Sequence, residues 1–193
     1  MLVTLVFTSF TILNGYKIGD SVADFSLKNV NGKMVSLSEY KNAKGFIIIF
    51  TCNHCPFAKR YQDRMNAFDK KYKPIGFPLL AISANDATAI PEDAYDKMKA
   101  RAKEQNYSFP YLYDETQAVA KAFGATKTPQ AYVLFKENGK WILKYSGAID
   151  DNGAEPDKVK NKYLENAVEA LLRNEPIAVT TTKSVGCSIK LKS

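Results

Sequence analysis

Six residues with no polar side chain among them, Gly45-Phe46-Ile47-Ile48-Ile49-Phe50, run into Thr51 and then into Cys52-Asn53-His54-Cys55. A short unbroken apolar run of this kind reads as a strand buried on both faces. Behind the cysteines, Phe57, Tyr61, Met65, Phe68 and Tyr72 recur at intervals of three and four, which places them on one face of a helix. The chain must therefore pass from buried strand to helix at a pair of cysteines. Unpaired N–H groups and the positive end of the helix dipole are expected to favour a thiolate on Cys52, the first of the pair.

The remaining pattern supplies a sheet and its covering helices. Asp24-Phe25-Ser26-Leu27 and Met34-Val35-Ser36-Leu37 alternate around Asn31-Gly32, a hairpin signal. Phe77 to Ser83 reads as a second apolar strand, and Asp93 to Gln105, after Pro91, as a helix. Strand and helix alternate up to this point, which predicts a parallel sheet core. Pro110 to Tyr113 is a further strand, and Asp114 with Gln117 is a capping-box pattern opening a helix that stops at Gly124. Ala131 to Phe135 and Trp141 to Tyr145 predict an antiparallel hairpin around Glu137-Asn138-Gly139-Lys140. A last helix is expected from Lys158 to Arg173, followed by a tail rich in Thr, Ser and Lys that carries Cys187.

With 193 residues, 46% of them hydrophobic, the chain suffices for one buried core. Its net charge of +7 arises from 27 Lys and Arg against 20 Asp and Glu spread over helices and tail, a solvated surface rather than a nucleic-acid face. Lys59 and Arg60, close to the cysteines, belong to that surface. The apolar stretch from Leu2 to Leu13 is too short to span a bilayer, so no stable membrane insertion is expected. It has the length of a signal-peptide core without a basic start, and residues 1–16 read as a truncated signal segment ahead of a domain spanning 17–193. On that reading the protein is extracytoplasmic, in a bacterial periplasm or secreted. If the stretch is instead an N-terminal strand, the protein is cytoplasmic.

Three cysteines are too few for a disulfide scaffold, and two of them form the close pair. Cys52 is the candidate nucleophile and Cys55 the resolving thiol of a redox-active disulfide, with no other cofactor. Asn53 and His54 tune the couple, since a charged His54 would stabilise the thiolate and make the disulfide more oxidising. Zinc needs four ligands, and Cys52, His54 and Cys55 crowd onto one turn with Cys187 far along the chain, so no metal site is expected. Cys187 remains open: a third thiol, a link to another chain, or a small buried residue.

The order hairpin, strand, CxxC helix, strand, helix, Thr-Pro, hairpin, helix resembles the thioredoxin superfamily. More narrowly, Thr51 to Lys59, Asn85-Asp86 with Pro91, Asp93 and Met98, Thr128-Pro129, Asp150-Asp151 and Gly186 to Lys190 resemble the redoxin (AhpC/TSA) branch and its peroxiredoxin-like members. The resemblance implies a thioredoxin-like three-layer α/β/α sandwich with a mixed central sheet, an N-terminal β-hairpin extension and a central insertion. It also implies a cis bond at Thr128-Pro129, with the backbone of Thr128 offered to a substrate peptide by strand addition; taken alone, the dipeptide reads equally as a trans proline entering a strand. The expected activity is thiol–disulfide exchange with a protein partner or a small thiol reductant. A thiol peroxidase and a metal-binding or metal-chaperone domain are the alternatives. Ile49 stands where peroxiredoxins carry a threonine, which weighs against peroxide chemistry, and Phe46 stands where thioredoxin keeps a buried acid. Asp86, Glu92 and water are therefore the candidates for proton transfer to Cys55. No feature sets the oligomeric state.

Overall fold

The computed structural model describes residues 15–192, so the apolar stretch read as a signal segment lies outside the described residues. The main sheet contains β1 (Ser21–Val22), β2 (Ser26–Asn29), β3 (Met34–Ser36), β4 (Gly45–Phe50), β5 (Leu79–Ser83), β6 (Tyr111–Tyr113), β8 (Gln130–Glu137) and β9 (Lys140–Gly147), in the order β1-β9-β8-β4-β5-β6-β2-β3. A separate two-stranded ladder joins β7 (Lys127–Thr128) to β10 (Cys187–Ser188). The helices are α1 (Pro56–Lys59), α2 (Gln62–Tyr72), α3 (Tyr95–Glu104), α4 (Ala118–Phe123) and α5 (Tyr163–Leu172).

Every side chain of β4 from Phe46 to Phe50 is fully buried, because the strand has neighbours on both sides and helices on both faces. Phe46, Ile48 and Phe50 point into a core shared with Phe123 of α4, Tyr132 and Leu143. Ile47 and Ile49 point the other way, into a core with Met65 and Tyr72 of α2, Met98 of α3 and Leu164 and Val168 of α5. Each such side chain stabilises the fold by about 1.5–3 kcal/mol on burial, so the strand that delivers the cysteines is firmly held.

The parallel pattern expected for the core is confined to β4, β5 and β6. The hairpins β2–β3 and β8–β9 add antiparallel strands outside them, which makes the sheet mixed. Asn138 and Gly139 both take positive φ at the β8–β9 turn, the conformation a tight hairpin requires. Three helical expectations shift. The helix behind the cysteines divides at Arg60 and Tyr61, where Tyr61 N–H bonds to Ala58 O in a tighter turn and the ring hydroxyl reaches Asp150. The last helix starts at Tyr163, after a single turn at Pro156–Lys158. Gln117 does not close a capping box: Asp114 accepts the Ala120 N–H, while Gln117 turns away to donate to Ala84 O and Lys190 O.

The tail is not a loose end. Ile189 is buried in the core, its N–H donates to Thr126 O, and Lys190 N–H donates to Asn85 Oδ1. Thr181 bridges to Ser146 at the end of β9. Among the described residues no helix is long and apolar enough to cross a membrane. Among the described residues, Gly15 lies against Gly124 and Tyr16 sets its ring edge-on to Phe123.

Candidate active site

Cys52 follows β4 directly, and Thr51 N–H still bonds to Ile82 O, so the sheet ladder runs to the threshold of the site. The next two residues are held by one carboxylate. Asp93, fully buried, accepts Asn53 N–H at 2.6 Å and His54 N–H at 3.1 Å on Oδ1. Its Oδ2 lies 2.6 Å from His54 Nδ1 and accepts Asn85 Nδ2–H at 2.7 Å. A buried carboxylate is tolerable only with such a set of donors. Asn53 completes the frame by donating to Glu92 O and accepting from Tyr111 Oη.

The helix begins only after the second cysteine. Cys55 is the N-cap residue of α1, with Pro56 in the first turn where a missing N–H costs nothing. Cys52 and Cys55 are both buried free thiols. Thr128 touches both: its hydroxyl lies 3.2 Å from Cys52 Sγ and its carbonyl oxygen 3.2 Å from Cys55 Sγ. The Thr128–Pro129 peptide bond is cis. Cys187 completes the cluster, half-buried, with Sγ 2.7 Å from Cys55 Sγ, against roughly 2.0 Å for a bonded pair.

Of the paired thiols, the lower pKa falls to Cys55, whose Sγ also lies within donating reach of the Thr128 carbonyl oxygen. Its pKa falls from the ordinary 9.0 to about 4, first because the Cys52 thiol donates to it, helped by the Cys187 thiol and the N–H groups of Ala58 and Cys187, with burial opposing. The same hydrogen bond, with burial and the nearby Asp93 charge, pushes the Cys52 thiol far upward. The helix end expected at Cys52 lies instead at Cys55. Burial and the bond to Cys55 raise Cys187 to about 11.

The carboxylate candidates for proton transfer lie elsewhere. Asp86 is solvated, its carboxylate spent on Thr88 and its pKa lowered by those bonds. Glu92 is exposed and reaches the site only through its backbone carbonyl. The acid at the loop is Asp93, which the sequence marked only as part of a family likeness; Asn85 and Gly186 were marked in the same way. Cys52, His54 and Asp93 each bring a ligating atom within 4.8 Å of the other two, although no metal site was expected. A cation there would have to displace the donors that already fill both carboxylate oxygens. The backbone of Thr128, expected to stay open for a substrate strand, is paired with the chain's own Cys187.

Residues 18–151 match the AhpC/TSA family. The chain belongs to that family. An uncharacterized conserved protein from Geobacillus kaustophilus has a TM-score of 0.84 and 39% identity, over 93% of this chain and 94% of that one. Among curated relatives, the thiol-disulfide oxidoreductase ResA of Bacillus thuringiensis subsp. konkukian is 27% identical over 72% of this chain and 79% of its own length. The chloroplastic peroxiredoxin Q of Triticum aestivum is 29% identical over 72% of this chain and 61% of its own. The mixed sheet with helices on both faces is the thioredoxin-like architecture.

Proposed function

We propose that this AhpC/TSA protein is a thiol–disulfide oxidoreductase whose Cys52–Cys55 couple oxidises dithiols of a protein partner. The observation that carries the reading is the pair of buried free thiols at the strand–helix junction, spanned by Thr128 with its hydroxyl on one sulfur and its carbonyl on the other. In the oxidised enzyme a substrate thiolate attacks Cys52 Sγ. The Cys52–Cys55 bond breaks and its electron pair leaves on Cys55, where the Cys187 thiol and the N–H groups of Ala58 and Cys187 remain to stabilise the thiolate. A second substrate thiolate then attacks the substrate sulfur of the mixed disulfide, and Cys52 departs with the electron pair and takes up a proton from solvent. Stabilising the reduced form in this way makes a disulfide oxidising.

Phe57 and Val185 support a protein partner. They are 39% and 65% exposed and stand beside Pro129 along one groove, an apolar rim suited to a peptide chain. An oxidising couple fits a compartment outside the cytoplasm, where disulfides persist, and the apolar stretch 2–13 would serve as its leader. A reporter fusion active only after export tests that placement.

Replacing Cys52 with Ser should reduce dithiol oxidation to the uncatalysed background; unchanged turnover would overturn the assignment. Equilibration with glutathione buffers should give a potential well above the roughly −270 mV of thioredoxin, toward the −120 to −180 mV of oxidases and isomerases.

A further inference from the structure

The Gly186–Ser188 segment occupies the place where a substrate strand would pair. Cys187 is in antiparallel register with Thr128, and Ser188 with Lys127. The fit depends on Gly186, whose missing side chain lets the backbone pass against the Thr128 carbonyl; a Cβ there would collide with that oxygen. The strand is anchored beyond the cysteine by Ile189, Asn85 and Gln117. A tail built only to cover the site would not need a thiol at this register, touching Cys55 at 2.7 Å.

We propose that Cys187 is a third exchanging thiol, which moves the disulfide from Cys52–Cys55 to Cys55–Cys187 and so connects the buried couple to an outside thiol or disulfide partner. The proposal rests on the redox reading of the Cys52–Cys55 pair. The Cys187 thiolate attacks Cys55 Sγ; the Cys55–Cys187 bond forms, the Cys52–Cys55 bond breaks, and the electron pair leaves on Cys52, which takes up the proton that Cys187 gave up. One disulfide is present before and after, so no oxidant is consumed. An outside thiolate can then attack Cys187, the sulfur of the three that is only half-buried, and release Cys55.

Oxidation itself prepares the step. Part of what holds the proton on Cys187 is its hydrogen bond to, and the charge of, the Cys55 thiolate, and both vanish once Cys55 is in a disulfide. Lys127 and Lys190 remain nearby to favour the Cys187 thiolate. Cys55 is then electrophilic and in contact with its attacker.

The test is disulfide mapping after acid quench and alkylation, on full-length protein equilibrated with oxidised and reduced glutathione. In the unmodified protein, about one in ten or more of the oxidised chains should carry Cys55–Cys187, and in Cys52→Ser nearly all should. If oxidised unmodified protein holds Cys52–Cys55 alone and Cys187 stays fully alkylated, the third thiol is overturned while the dithiol reading stands. Mapping the Cys187→Ser variant separates the two claims: absence of a reversible Cys52–Cys55 disulfide there, and in the unmodified protein, removes the underlying reading and the relay with it.

Discussion

The Asn53–Cys55 loop and the Gly186–Ser188 strand converge on the same sulfurs and are held there by different physics. The loop hangs on one buried charge: four donors from Asn53, His54 and Asn85 meet the Asp93 carboxylate. The strand hangs on many weak points, a two-residue ladder, one close glycine approach, the buried Ile189 and the side-chain amides of Asn85 and Gln117. A charge hub is rigid and fails all at once when its centre is removed. A distributed contact gives way locally, at a cost well below global unfolding. The loop therefore depends on one carboxylate, whereas the hold on the tail is shared among separate contacts.

The sharpest way to break this contrast is at its hub. Asp93→Ala should cost about 3–5 kcal/mol, because it leaves buried N–H groups of Asn53 and Asn85 unpaired; urea denaturation of the reduced protein measures it. A loss below that of an ordinary surface substitution would mean that the loop holds itself. Gly186→Ala should cost less, about 1–3 kcal/mol, since the backbone must back away from Thr128. It should also speed alkylation of Cys52 by opening the tail. Equal protection of Cys52 in the variant and the parent would show that the tail does not gate the site.

A third prediction separates the charge on Cys55 from both anchors. A folded-state pKa of about 4 against the ordinary 9.0 means that its stabilisation of the reduced protein is complete above pH 9.0 and is lost as pH falls through about 4. One proton then accompanies two electrons between those limits. The potential of the couple should change by about 30 mV per pH unit there and by about 59 mV per unit below. A slope of about 59 mV persisting at neutral pH would place no thiolate in the reduced site. The smallest effect is expected at the rim: Val185→Lys should change stability by no more than about 0.5 kcal/mol. It should raise the KM for a protein dithiol and leave that for a small thiol unaltered.

Residues that carried their own signal were placed correctly by pattern. The unbroken run of β4, the Asn-Gly turn of β8–β9 and the cysteine pair are local, and burial, turn conformation and thiol chemistry act within a few residues of each. Asp93 carried only a weak signal, because an acid after a proline reads as a helix start, and nothing local says that its oxygens face a loop forty positions earlier. The same limit explains why Gln117 was read as a cap: its amide bonds to Lys190 across the fold, and no short-range pattern records that.

The sequence by itself determined a buried strand, the helix behind it and a dithiol at their junction, since periodicity and buried-strand length are properties of neighbouring residues. Only the tertiary structure decided where the site's charge lies and what surrounds it. Cys55, and not Cys52, is the helix cap, and Asp93 accepts the intervening N–H groups of Asn53 and His54. Cys187 came to contact Cys55 because a glycine let the tail pair with the backbone of Thr128. Both outcomes depend on contacts between residues far apart in the chain, and such contacts exist only once the core has closed and excluded the water that would otherwise satisfy those groups.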